Sequence, residues 1–170
     1  PILQAPMAGA TGSGMAIAVG QAGGLGALPC AMLTGDQVRA EITAFRAGCP
    51  GRPLNLNFFC HQPPASDTER DLRWKQALEP YYNEVGADFA APTPVSNRAP
   101  FDEQSCQLVE QLRPEVVSFH FGLPQADLLQ RVKASGAKVL SSATTVEEAV
   151  WLEHRGCDAI IAMGYEAGGH

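Results

Sequence analysis

No run of 18 consecutive apolar residues occurs in the 170-residue chain, so no segment reads as a membrane-spanning helix. Positive charge is sparse. Twelve Lys and Arg against 18 Asp and Glu leave a formal charge of −6 and a pI near 5.1, which argues against nucleic acids and anionic membrane surfaces as partners. The opening, Pro1 to Ala10, lacks the basic flank and long apolar core of a secretory signal, and a cytoplasmic location is expected. The five cysteines (Cys30, Cys49, Cys60, Cys106 and Cys157) form no CxxC pair, which fits reduced thiols better than a disulfide frame or a zinc site. Cys30 and Cys60 remain candidates for a pocket wall. The histidines show neither HxH nor HExxH spacing and no carboxylate cluster accompanies them, so no metal is expected. A GxSxG nucleophile turn is absent. The glycines at 23–26 fail the dinucleotide-binding pattern because they precede an apolar run instead of following one and opening a helix.

What the chain does hold is alternation. Apolar runs of strand length recur at 2–7, 25–30, 54–59, 116–121, 138–143 and 159–163, and helical patterns separate them. Thr34 with Gln37 and Thr145 with Glu148 have the spacing of capping boxes ahead of apolar residues. Gly24, Gly48, Gly136 and Gly156 stand where helices should stop before the next strand. Late in the chain the repeat is regular, 23 residues from Val116 to Val139 and 20 from Val139 to Ala159. Strands and helices in alternation predict a parallel α/β sheet, either doubly wound or a (β/α)8 barrel. Six strand–helix units are expected in one domain over 1–170. The irregular stretch 60–100 reads as an insertion after the third strand, with Ser66 capping a helix that carries Leu72, Leu78 and Tyr81, and would overhang the active-site face as a lid.

In such folds the residues just beyond the strands carry the chemistry. Gln4 to Gly9 places Ala5, Pro6 and Met7 at the end of the first strand, where small residues and a proline seat a planar ring or form an ordinary loop. Asn57 ends the third run, placed to bond a heterocycle edge or a neighbouring strand's backbone. His120 lies among aromatics at the end of the fourth, as a packing residue or a pocket residue. Ser141 and Ser142 have hydroxyls too weak to attack unaided, which favours hydrogen bonding to a ligand. His61 and His154 read as solvent residues. After Met163, Gly168 and Gly169 allow close backbone approach to a ligand and turn His170 towards it.

Taken in order, Gln4 to Met7, Ala22 to Gly26, Leu56 to Phe58, Val117 to Gly122, Ser142 to Thr145 and Ala159 to His170 resemble the nitronate monooxygenase family, formerly the 2-nitropropane dioxygenases. The resemblance implies a TIM barrel that binds FMN non-covalently and oxidises alkyl nitronates or nitroalkanes with O2 to carbonyl compounds and nitrite. It implies flavin contacts at Ala5, Pro6, Met7, Asn57, Ser142, Met163, Gly168 and Gly169, and a catalytic base at His170; His120, from its place at a strand end and not from the resemblance, is the candidate for the substrate pocket. Met163 departs from the polar residue common in the family, which restricts it to packing or backbone contact. A complete barrel takes about 250 residues, so the rest of the barrel, with its phosphate-binding loops, is expected from the same protein beyond residue 170. Two other functions stay open: an FMN-dependent NAD(P)H reductase of quinones or enoyl thioesters, and a truncated flavin-binding barrel without activity.

Overall fold

Strand and helix alternate along the chain as the sequence pattern requires. The computed structural model describes residues 2–92 and 98–167. In chain order the elements are α1 (Ser13–Gln21), β1 (Gly26–Pro29), α2 (Gly35–Gly48), β2 (Leu54–Phe59), α3 (Thr68–Ala77), α4 (Glu79–Glu84), α5 (Glu103–Leu112), β3 (Val116–His120), α6 (Ala126–Ala134), β4 (Lys138–Ala143), α7 (Val146–His154) and β5 (Ala159–Ala162). They fall into two units, residues 1–61 with 97–170, and residues 62–96.

In the first unit the five strands form one sheet in the order β1-β2-β3-β4-β5, and every pair is parallel. Successive side chains on a strand face opposite ways, and burial separates the two sides. Leu28, Leu54, Leu56, Phe58, Val117, Phe119 and Val139 join Ala16, Val38, Ile42, Phe45, Cys106, Val109, Leu129 and Val132 from the helices in a single apolar core. The other side carries Asn55, Asn57 and Ser118, buried but polar. The packing is tight enough to dictate a glycine: a Cβ on Gly26 would lie 2.5 Å from the Ala16 carbonyl oxygen, so α1 rests directly on the backbone of β1.

Helix starts follow the capping logic. Thr34 accepts from Gln37 N and the Gln37 side chain accepts from Thr34 N, and Thr145 with Glu148 repeats the arrangement. The N-terminus of α1 has no side-chain cap of its own. Glu41, from α2, supplies it by accepting from Ser13 N at 2.5 Å.

Several expectations are corrected. Residues 2–7 form no full strand: Leu3 bridges Leu25 in parallel fashion, with Gln4 N donating to the Leu25 carbonyl and Leu25 N to that of Ile2. The left-handed glycines before β1 and β2 are Gly23 and Gly51, not Gly24 and Gly48, whereas Gly136 and Gly156 take that conformation as expected. The run at 116–121 stops one residue early because Phe121 turns left-handed, at φ 66°.

The second unit holds α3 and α4. Its cap is Asp67, which accepts from Arg70 N, and not Ser66. The expected single helix breaks at Leu78, where the second segment begins with Pro80 in its first turn; proline's missing N–H is harmless only at such a start. Tyr82 and Phe89 meet edge to face at 5.4 Å, and Lys75 lies over the Phe89 ring while donating to the Ala91 carbonyl. Among the described residues no helix is long and apolar enough to cross a membrane.

Candidate active site at the strand ends

Because the sheet is parallel, its C-terminal strand ends gather along one edge, where ligands of such folds bind. Here that edge presents Pro29 and Cys30, Phe59 to His61, His120 to Gly122, Ser142 with Ala143, and Met163, whose N donates to the Ala143 carbonyl. Ala5, Pro6 and Met7 follow the Leu3–Leu25 bridge in the same direction. Their turn closes on itself: Ala10 N and Thr11 N both donate to the Met7 carbonyl, and Met7 N donates to Thr11 Oγ1. The Met7 side chain is left 44% exposed.

Beneath the edge runs a layer of amides and a hydroxyl. Asn57 Nδ2 donates to the Ser118 carbonyl at 3.2 Å and to its Oγ at 3.0 Å, and Asn55 Nδ2 reaches the same Oγ at 2.9 Å. Asn57 therefore satisfies the neighbouring strand with its donor group. On the other side of β1, Gln4 Oε1 accepts from Ala27 N, and Ala27 stands opposite Asn55 in the sheet. Among the described residues two buried side-chain atoms have no hydrogen-bond partner, Gln4 Nε2 and Asn55 Oδ1. They are a donor and an acceptor.

Above this layer stands a ring cluster. Phe59 meets Phe121 at 5.2 Å, His61 at 6.3 Å and His120 at 6.4 Å. His61 is half-buried in this group, which corrects its reading as a solvent residue; His154 is exposed as expected. His120 Nδ1 lies 2.7 Å from Ser142 Oγ, and burial holds the imidazole below its ordinary pKa. Ser141 has a different task from the one expected: it is fully buried and donates to the carbonyls of Phe119 and Gly122. The pleat puts it on the helix side of β4 while Ser142 points inward. Cys30, expected as a possible pocket wall, packs in the core, and its thiol is pushed up to about 12, mainly by burial. Cys60 is half-buried, and burial raises its thiol to about 12 as well. Gly168, Gly169 and His170 lie outside the described residues. Among the described residues no group of three or more His, Cys, Asp and Glu side chains is placed to hold a metal.

The alternation Asn55, Asn57, Phe59 on β2 was the available signal for the polar layer and the ring above it, and it was hidden inside an apolar run. Glu41 gave no sequence signal, since its partner lies 28 residues away.

Known proteins share this family of sequences and this fold. A family model described as nitronate monooxygenase matches residues 1–170. A nitronate monooxygenase of Paraburkholderia phytofirmans is 40% identical over 171 residues, covering 100% of this chain and 46% of the relative. One of Pseudomonas aeruginosa is 39% identical over 175 residues, covering 100% and 48%. Among solved structures, nitroalkane oxidase from Streptomyces ansochromogenes superposes with a TM-score of 0.86 at 36% identity, covering 100% of this chain and 48% of that one. FabK from Thermotoga maritima gives 0.70 at 25%, covering 100% and 42%. The chain spans about half the length of the curated relatives it matches. Its fold is that of the N-terminal portion of a (β/α)8 barrel.

Proposed function

We propose, from the premise that this chain belongs to the nitronate monooxygenase family, that its strand-end edge is the flavin and substrate site of an enzyme oxidising alkyl nitronates or nitroalkanes with O2 to carbonyl compounds and nitrite. The observation that carries the reading is the uncharged edge itself: the small-residue turn at 5–9, the half-buried His120 and Ser142, and the amide layer beneath with an unpartnered donor and acceptor. Such a donor set suits a neutral heterocycle better than a cation. FMN is the cofactor of this proposal, with Ala5, Pro6, Met7, Asn57, Ser142, Met163, Gly168 and Gly169 around it.

The residues named would hold the flavin, which when bound would supply the electron-transfer chemistry between substrate and oxygen. The chain's own residues prepare the substrate. Ala5 and Pro6 bring no polar side chain to the edge and Pro6 no N–H, and Phe59 with Phe121 supplies apolar surface beside it. His170 is proposed as the base that takes the proton next to the nitro group. A neutral imidazole suits that task near pH 7.

The test uses the intact protein. A flavin absorption spectrum after purification, and nitrite release with oxygen uptake on ethylnitronate, are expected; a colourless protein or no nitrite overturns the proposal. His170→Asn should reduce turnover of nitroethane about 10²-fold or more, and of preformed ethylnitronate much less. Equal losses on the two substrates reject His170 as the base. The similarity to FabK sustains a second reading, an NAD(P)H-dependent flavin reductase, and anaerobic flavin reduction by NADH faster than by ethylnitronate would favour it.

A further inference from the structure

One imidazole at the edge is fastened from several sides. The His120 carbonyl accepts from Cys60 N at 2.8 Å, and Ser141 ties the carbonyls of Phe119 and Gly122 on either side of it. Ser142 Oγ meets Nδ1. The following turn is left-handed at Phe121, whose side chain is 58% exposed; a bulky residue holds that conformation only where its surroundings impose it. The ring is thereby aimed.

The position of its proton follows from the donors and acceptors present. Ser142 has one hydroxyl proton, and among the described residues the partner of its hydroxyl is His120 Nδ1. Burial favours the neutral ring, which carries a single N–H. Placing that proton on Nδ1 would leave the half-buried hydroxyl proton without a protein partner. Placing it on Nε2 satisfies both groups, and Nε2 itself has no hydrogen-bond partner among the described residues.

We infer that His120 is locked as the Nε2–H tautomer and donates a hydrogen bond to a nitronate oxygen instead of acting as a base, with Ser142 as the positioning residue that fixes the tautomer. The choice of ligand atom rests on the nitronate reading above. A nitronate carries its negative charge on two oxygens, and a neutral donor steadies that charge without burying a cation beside it.

The test has two arms on the intact protein. With 15N-labelled histidine, long-range proton–nitrogen spectra at neutral pH, assigned with His120→Gln, should show a pyridine-type Nδ1 and a pyrrole-type Nε2. Ser142→Ala should lose the single-tautomer pattern. A protonated Nδ1 or an imidazolium in the unaltered protein overturns the inference, as does a Ser142→Ala pattern identical to it. In the second arm, His120→Gln retains an N–H near the Nε2 position and His120→Leu does not. The Leu variant should lose about tenfold more kcat/KM on ethylnitronate than the Gln variant, at equal bound flavin. Equal losses overturn the donor role. An unaltered protein with the expected tautomer but no turnover of ethylnitronate overturns the nitronate reading and its ligand atom, while the spectra still support the imidazole's donor state.

Discussion

A single atom decides the identity of residue 26. With the Ala16 carbonyl oxygen 2.5 Å from where a Cβ would stand, Gly26→Ala must push α1 off the sheet, and a loss of about 2–3 kcal/mol in unfolding free energy is expected from denaturant titration. Nothing in the local sequence distinguishes this glycine from Gly24, because the close approach is made by a helix ten residues earlier. His120 gives a second prediction at this scale. Burial holds its folded pKa below the free value of 6.5, so between the two values the unfolded chain binds more protons than the folded one. The stability this residue contributes is then complete above 6.5 and is lost as pH falls through the folded pKa. Denaturation midpoints measured above and below pH 6.5 should fall less on the acid side in His120→Gln than in the unaltered protein, and the difference between the two proteins isolates this residue from Asp158 and Glu103, whose ion pairs hold their carboxyls below the ordinary carboxylate range, so that they titrate at lower pH.

Elements were legible in proportion to how local their signals are. Both capping boxes act within three residues and were read correctly. The strand runs were found too, since parallel strands buried on both sides are near-continuously apolar. Residues 2–7 share that composition, but only Leu3 bridges a partner, and pairing is a property of the sheet, not of the segment. Neighbouring serines on β4 show what a run conceals. Ser141 serves the fold and Ser142 the site, a division made by the pleat alone. Ser141→Ala removes the donor to two carbonyls and should cost about 1–2 kcal/mol. Ser142→Ala, at a half-buried position, should change stability by less than half as much while changing turnover more; calorimetry and steady-state rates on the same preparations check the contrast.

At the scale of the whole molecule the parallel α/β architecture was readable because alternation of strands and helices admits few topologies. The edge that collects the strand ends followed from it. The mutual placement of Asn55, Asn57, Ser118 and Gln4 did not, since these residues are joined across strands that lie up to 63 residues apart in sequence. Thiol burial across the chain has a chemical consequence of its own. Cys30 and Cys60 are pushed to about 12, burial also raises Cys106 and Cys157, and only thiolates react readily with peroxide or alkylating agents. At neutral pH a thiol titrating near 12 is ionised in about one molecule in 10⁵. Iodoacetamide should therefore modify these four cysteines slowly in the folded protein and rapidly in urea, as mass spectrometry can follow. Peroxide, which also needs the thiolate, should oxidise these four side chains slowly for as long as the fold stays closed over them.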